Sequence, residues 1–147
     1  MNCKQSSDGL IKVKFYDPVV GYENIWALPI AADKYRIENI PFFIYDLSLG
    51  DVVEATNDEN GDLCFRKVLE RSENRTLRAR SDSLISNPDL GLRIARDLED
   101  LKCKVEIHRD RLLAISVPPT LNITVITDYL TGMVLDWEYG SPSQLNN

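Results

Sequence analysis

Acidic side chains crowd one short stretch of the chain and make it a candidate site for recognising a partner. The six carboxylates are Asp46, Asp51, Glu54, Asp58, Glu59 and Asp62. Such a group can attract a basic protein surface, and it could imitate nucleic-acid phosphates in the cleft of a basic toxin or nuclease. The same residues could instead form a solvated edge that discourages aggregation between sheets.

A basic cluster follows directly and is the second candidate site. It comprises Arg66, Lys67, Arg71, Arg75, Arg78 and Arg80. Lysine and arginine neutralise phosphates, so the hairpin 66–80 could bind nucleic acid or an acidic partner. The alternative is a solvent-facing sheet balanced by Glu70 and Glu73. The net charge of −6 makes nucleic acid an improbable partner, because nucleic-acid binders usually carry a basic excess.

Residue sets that perform catalysis are scarce in this sequence. The single histidine, His108, falls in a predicted tight turn and is expected to be an exposed turn residue rather than a general base. A dyad of His108 with Cys64 or Cys103 is the one nucleophilic arrangement still open. The glycines form neither a dinucleotide fingerprint nor a P-loop, and the acidic stretch 58–62 lacks the ligand spacing of a calcium loop. We therefore expect no catalytic residues, no metal, no cofactor and no enzymatic activity.

Composition indicates an ordinary folded protein. The apolar fraction is 44% and the charged fraction 27%, both typical of globular domains. Three distant cysteines favour reduced thiols over disulfides, with Cys64 and Cys103 as small core residues. No apolar run approaches the ~20 residues of a membrane helix, and the polar N-terminus does not resemble a signal peptide. These features predict a soluble cytoplasmic protein without a membrane partner.

The first lobe, residues 1–74, is predicted to be β-rich. Alternating and apolar patterns indicate strands at 10–16, 24–31, 35–37, 51–56 and 63–69. Pro29 indicates an edge or a bulge, and Asn60-Gly61 predicts a type I′ hairpin turn. The apolar cluster 40–45 is expected to be an irregular plug for the core. Together these features predict a small antiparallel β meander curled into a barrel.

The second lobe, residues 75–140, alternates strands with helices; the two lobes could form separate units or one fused domain. Asn87 as N-cap and Pro88 at the first helical position predict a helix with an apolar face. A second helix is expected over 121–133, although its β-branched residues weaken that prediction. Strands are predicted at 75–80, 105–107, 112–117 and 134–139. The order β-α-β-β-α-β is ferredoxin-like, so the fold class is α+β, with a flexible tail at 141–147.

Aromatic residues offer a further possible site. Trp26, Tyr35, Phe42, Phe43 and Tyr45 could line a ligand groove, or they could pack the interior of a small barrel. Near the C-terminus, Trp137 and Tyr139 alternate on a strand and are expected to form a half-exposed pair.

Several segments together form a recognisable pattern: ENIWALP at 23–29, KYRIENIPFF at 34–43, SLGDVVEA at 48–55, VLERS at 68–72, TLR at 76–78 and, more loosely, WEYG at 137–140. This pattern resembles a bacterial family known as domain-of-unknown-function family 4265. The resemblance implies a cytoplasmic bacterial protein and brings no catalytic residues with it. Within these segments we expect an Arg36–Asp51 ion pair. The core of the first lobe is expected to contain Trp26, Tyr35, Ile37, Ile40, Pro41 and Phe42.

Two functions follow as hypotheses. The first is a non-enzymatic immunity protein that binds and neutralises a cognate protein toxin through the acidic residues; it rests on an analogy of size and charge. The second is a nucleic-acid-binding or regulatory module that uses the basic hairpin 66–80.

Overall fold

A computed structural model describes residues 9–109 and 112–140 of the chain. Within these ranges it contains nine strands and three helices. They are β1 (Ile11–Asp17), β2 (Gly21–Ala31), β3 (Lys34–Ile37), β4 (Val52–Asn57), β5 (Leu63–Glu70), β6 (Arg75–Arg80), α1 (Asp82–Ser86), α2 (Pro88–Asp100), β7 (Lys104–His108), β8 (Leu112–Val117), α3 (Ile123–Gly132) and β9 (Asp136–Tyr139). The tail predicted at 141–147 and Cys3 lie outside the described residues.

The first five strands form a closed barrel in chain order, which confirms the predicted meander and barrel. Consecutive strands pair antiparallel, whereas β1 and β5 pair in parallel at Lys14 and Cys64. The β1–β5 pair is parallel because the barrel has an odd number of strands. When consecutive strands alternate in direction, the first and the last of an odd number run in the same direction. Closure leaves neither strand as a free edge for aggregation.

Alternate residues of the barrel strands fill its interior. Val13 and Phe15 from β1 and Ile25 and Ala27 from β2 are all buried there, as a period of two requires. The pairing of β2 with β3 shifts register between Pro29 and Ala31, which confirms the bulge expected there.

Trp26 departs from the expected core of this lobe. It lies between two inward residues of β2 and is only half-buried. Its ring packs under the ammonium group of Lys12, 4.9 Å from the ring centroid. The prediction that Trp26 belongs to the core is wrong, because strand alternation directs it to the outside of the barrel. The prediction for Phe42 is wrong as well, because this half-buried side chain packs against His108 of the second sheet and not into the barrel core.

The remaining strands form a second sheet in the order β7-β8-β6-β9, and every neighbouring pair is antiparallel. Its helices supply Ile94, Leu98, Ile126 and Leu130 to one hydrophobic core, which also contains Leu77 from β6. A barrel followed by a sheet with helices agrees with the expected α+β class.

The helices differ from the predictions in detail. Pro88 begins α2 as expected, but the Asn87 side chain makes no capping hydrogen bond there. The backbone N–H of Asn87 instead ends the short helix α1, which was not predicted, by donating to Ser83. Helix α3 forms despite its β-branched residues, since Asn122 accepts a hydrogen bond from the Thr124 N–H and one face is buried.

The turn between β4 and β5 also differs from the prediction. The strands are joined by residues 58–62 rather than by a two-residue type I′ turn. Gly61 has a positive φ of 83°, whereas Asn60 is not among the residues with positive φ. The Asp58 carboxylate accepts hydrogen bonds from the N–H groups of Asn60 and Asp62, and this local capping favours the longer loop.

Residues 38–51, named here the irregular segment, connect β3 to β4 without forming a helix or a strand. This connection confirms the expected irregular plug, because Ile44 and Leu47 pack into the barrel core. Buried backbone groups outside regular structure need other hydrogen-bond partners. Glu23 on β2 is such a partner for three backbone groups. Its carboxylate accepts hydrogen bonds from the N–H groups of residues 42–44 at 2.8, 3.0 and 2.9 Å.

Arg78 on β6 satisfies the carbonyl groups of the same segment. Its guanidinium donates to the carbonyl oxygens of Pro41 at 3.2 Å, Phe43 at 3.3 Å and Ile44. It also lies 3.7 Å from the carboxylate of Glu138 on β9. Arg78 was predicted on an exposed basic surface, and that prediction is wrong because only 2% of the residue is exposed.

Replacing Arg78 should therefore destabilise the whole fold. In Arg78→Met three buried carbonyl groups lose a donor, and we expect a loss of about 3 kcal/mol in the free energy of unfolding. Arg80→Met is the matched control, because Arg80 lies on the same side of the same strand but is exposed; its change should stay within about 0.5 kcal/mol. Urea unfolding of both variants measures the difference, and equal effects would contradict the role given to Arg78.

Candidate functional site

The exposed part of the acidic stretch is the loop at residues 58–62, named here the acidic loop. Glu59 is exposed at its tip. The two backbone hydrogen bonds to Asp58 hold the loop in place, and the one from Asp62 is the main cause of a lowered pKa for the Asp58 carboxyl group. Asp62 forms an exposed ion pair with Lys14 at 3.2 Å. The acidic loop thus presents carboxylates on a fixed backbone.

The other predicted acidic residues are more occupied. Glu54 is half-buried on β4 and faces Lys34 and Lys67 across the two neighbouring strands. Asp46 forms an ion pair with Arg71 at 3.3 Å. These pairings leave the acidic loop as the region where carboxylates dominate.

Asp51 does not belong to any binding surface. It is fully buried, and its carboxylate accepts hydrogen bonds from the N–H groups of Ser48 at 3.0 Å and Ser72 at 2.8 Å. Its ion-pair partner is Arg71, at 3.4 Å, whereas Arg36 pairs with Glu38. The expected Arg36–Asp51 pair and the placement of Asp51 on the surface are both wrong. The buried Asp51 carboxylate is instead occupied by hydrogen bonds that stabilise the loop before β4.

The predicted basic surface is divided between the two sheets. Arg66 and Lys67 are exposed on barrel strand β5, Arg71 directly follows that strand, and Arg75, Arg78 and Arg80 belong to β6. Arg75 donates to the carbonyl oxygens of Pro118 and Leu121, so its guanidinium serves the fold. With Arg78 buried as well, Arg80 is the exposed cation of that strand.

His108 and the described thiols do not form a nucleophilic site. His108 ends β7 and is half-buried, with its ring centroid 5.0 Å from that of Phe42 and 5.4 Å from that of Phe43, so it is not the exposed turn residue expected. Burial raises the pKa of Cys64 and that of Cys103, the latter to about 11, and a protonated thiol is a poor nucleophile. Over residues 9–109 and 112–140, no group of three or more metal-ligating side chains occurs.

The face of the second sheet that points away from the helices is polar, which sequence patterns alone did not reveal. Two rows of this face, in register, matter for the site: the first row is Glu106, Ala114, Arg78 and Glu138, and the second row is His108, Leu112, Arg80 and Asp136. The irregular segment contacts the first row. The second row borders an open cavity.

Glu106 illustrates how residues of the first row form hydrogen bonds with the irregular segment. Its carboxylate accepts hydrogen bonds from the Ile40 N–H at 2.5 Å and from the Asn39 side chain at 3.2 Å. Burial raises the pKa of Glu106 above its ordinary value of 4.5, and these two hydrogen bonds oppose the shift without cancelling it.

The cavity has a volume of about 400 Å³ and lies between the irregular segment and the edge of the second sheet. It is lined by Val20, Phe42, Phe43, Tyr45, Arg78, Ala79, Arg80, Leu112, Asp136, Trp137 and Glu138. Three members of the predicted aromatic groove line it, whereas Trp26 and Tyr35 lie elsewhere. Of its charged members, Arg78 and Arg80 belong to the predicted basic cluster, whereas Asp136 and Glu138 were missed. The alternation of polar residues along β9 was the signal that could have found these two carboxylates.

Tyr45 and Glu138 complete the wall of the cavity. The Tyr45 hydroxyl donates to both carboxylate oxygens of Glu138, at 2.7 and 2.8 Å. Its ring covers the guanidinium of Arg78 at 4.7 Å, and the hydrogen bond to Glu138 raises the pKa of Tyr45. Trp137 and Tyr139 lie nearby as an edge-to-face pair with ring centroids 5.2 Å apart, which confirms the half-exposed pair.

Comparison with known proteins shows a likeness of fold to one solved structure and identifies the family of the chain. A solved structure described as "Novel crystal structure of a hypothetical protein from Neisseria gonorrhoeae" is similar, with a TM-score of 0.64 over 88% of this chain and 91% of that chain. Its sequence identity is 18%, so the likeness is one of fold. The family model described as Domain of unknown function (DUF4265) matches residues 23–137, and the chain belongs to that family, which confirms the resemblance in its sequence. No curated protein matches the chain.

The helices were also compared with the requirements of a membrane span. In the part of the chain that the structure describes, none is both long and apolar enough to cross a bilayer.

Glu106 gives a testable pH dependence. Because its pKa is raised in the folded state, the native protein takes up a proton first as pH falls toward 4.5, and protonation then favours folding. The stability of the wild type relative to Glu106→Gln should therefore rise as pH falls from 7 to 5. Urea unfolding at pH 7, 6 and 5 measures this difference. A relative stability of the wild type that stays constant or falls on acidification would show that the carboxylate is not held in a desolvated site.

Proposed function

We propose that this chain is a non-enzymatic bacterial binding protein that neutralises a cognate protein toxin, and that the acidic loop contacts the toxin's basic surface. The observation that carries the proposal is the geometry of that loop. Its backbone is held by the Asp58 carboxylate, while Glu59 extends into solvent.

A fixed loop suits association with another folded protein. Binding costs less free energy when the contacting segment does not have to be ordered first. The ion pair of Asp62 with Lys14 is exposed, and exposed pairs contribute little to stability, so a basic side chain of the partner can replace Lys14 at little cost. The net charge of −6 favours approach of a basic partner.

Nucleic-acid binding is the alternative function, but the exposed basic surface available for it is smaller than the sequence predicted. Arg66 and Lys67 are exposed on β5 and would neutralise phosphates. Arg75 and Arg78 are engaged with backbone carbonyl groups, which removes two members of the original basic set. Binding of RNA or DNA is therefore an outcome that the experiment below must be able to detect.

We also propose that the second lobe is a ferredoxin-like unit attached to the barrel. The sheet order β7-β8-β6-β9 and its antiparallel pairing support this assignment, with α1 as an added element. Folds of this kind serve many functions, so the assignment adds no evidence for toxin binding. A cytoplasmic location remains part of the proposal, since an immunity protein of this kind would meet a delivered toxin there.

The proposal predicts one dominant protein partner. The tagged chain, recovered from its source cells and analysed by mass spectrometry, should bring down a protein with a toxin-like domain. The purified pair should form a one-to-one complex in size-exclusion chromatography with light scattering. Recovery of salt-sensitive nucleic acid that is lost in Arg66→Gln/Lys67→Gln would instead support the alternative and overturn the proposal.

A charge reversal tests the surface itself. Glu59→Lys should weaken the complex at least tenfold, about 1.4 kcal/mol, mainly by slowing association and reducing its dependence on salt. Asp128→Lys is the matched control, because Asp128 is an exposed carboxylate on α3 in the other lobe. Surface plasmon resonance at several salt concentrations measures both variants. If Glu59→Lys binds like the control at every salt concentration, the acidic loop is not the contact surface.

A further inference from the structure

Two charged residues at the cavity are not committed to the fold. Arg80 on β6 and Asp136 on β9 stand opposite each other in register. Both are exposed, and within the described residues no hydrogen bond or ion pair engages either side chain. The neighbouring pair, Arg78 and Glu138, is already engaged with the irregular segment and with Tyr45. The cavity therefore holds one available cation and one available carboxylate.

The opposite wall of the cavity is apolar. It consists of Phe42, Phe43, Tyr45 and Val20. The backbone of residues 42–44 is held from both sides, because the Glu23 carboxylate accepts from their N–H groups and the Arg78 guanidinium donates to the carbonyl groups of residues 43 and 44. A preformed apolar wall facing a few convergent polar groups is the usual design of a small-molecule site, and about 400 Å³ is within the usual range of such sites.

The charge balance selects the class of ligand. A simple anion attracted by Arg80 would also meet the carboxylates of Asp136 and Glu138. A simple cation attracted by Asp136 would meet the guanidinium groups of Arg78 and Arg80. A small zwitterion satisfies both signs, and an apolar substituent on it would contact the aromatic wall.

We propose that the cavity binds a free α-amino acid with a large apolar or aromatic side chain. Its carboxylate pairs with the Arg80 guanidinium, its ammonium group pairs with Asp136, and its side chain packs against Phe42, Phe43 and Tyr45. This site goes beyond the proposed toxin binding, because it shares no residue with the acidic loop and makes the protein able to respond to an amino acid.

Ligand analogues test the two charge contacts. Isothermal titration of the full chain should detect binding of L-phenylalanine, L-tyrosine or L-tryptophan. N-acetyl-L-phenylalanine lacks the ammonium group and L-phenylalaninamide lacks the carboxylate, so each should bind at least tenfold more weakly than L-phenylalanine. Failure of all these amino acids to bind, or binding of either analogue as tightly as L-phenylalanine, would overturn the proposal.

Variants assign each contact to its residue. Arg80→Gln should weaken binding of L-phenylalanine at least tenfold and remove its preference over the amide. Asp136→Asn should do the same for the preference over the N-acetyl compound. Arg93→Gln, an exposed change on α2, is the control and should leave affinity unchanged. Loss of affinity without the matching loss of preference would overturn the assignment.

The toxin-binding surface can be tested separately. Glu59→Lys should retain full affinity for L-phenylalanine even where it weakens the toxin complex. Retained amino-acid binding in a chain that captures no toxin would overturn only the proposed function. Toxin binding by a chain that ignores every amino acid would overturn only the cavity proposal.

Discussion

This structure depends on the hydrogen bonds that Glu23 and Arg78 make to the irregular segment, in which Glu23 is the acceptor and Arg78 is the donor. Residues 38–51 insert apolar side chains into the barrel, yet they form neither helix nor strand. Their buried N–H and carbonyl groups would otherwise lack partners, at a cost of roughly 1–3 kcal/mol each. Glu23 accepts from the N–H groups and Arg78 donates to the carbonyl groups. One residue comes from each sheet, so the same contact joins the two lobes.

This constraint explains why the second sheet carries a polar face. A sheet covered by helices on one side and by irregular backbone on the other needs apolar residues toward the helices and hydrogen-bonding residues toward the backbone. Glu106, Thr76 and Arg78 meet that need, and each contacts the segment between β3 and β4. Arg80 and Asp136 lie one row beyond the covered area, and the open space above them is the cavity.

The candidate sites were only partly predictable. The acidic loop could be located because its carboxylates are adjacent in the chain and a turn is expected to be exposed. Asp51 could not be separated from them, because its burial follows from hydrogen bonds to Ser48 and Ser72 across the loop. The cavity is lined by residues as far apart in sequence as Phe43 and Asp136. No local sequence pattern predicts that such distant residues lie close together.

The strands, the helix that begins at Pro88 and the bulge after Pro29 could be predicted from the sequence, because each depends on interactions within a few residues. Alternation of apolar residues indicates a strand, the fixed φ of Pro88 suits the start of a helix, and the missing N–H of Pro29 interrupts strand pairing. The sequence also determined family membership and an acidic net charge. Only the tertiary structure decided which charges are free. Arg78 and Arg80 are two residues apart on one strand, but the irregular segment covers Arg78 and leaves Arg80 exposed. A side chain's environment depends on what packs above it, and that is set by contacts between distant parts of the chain.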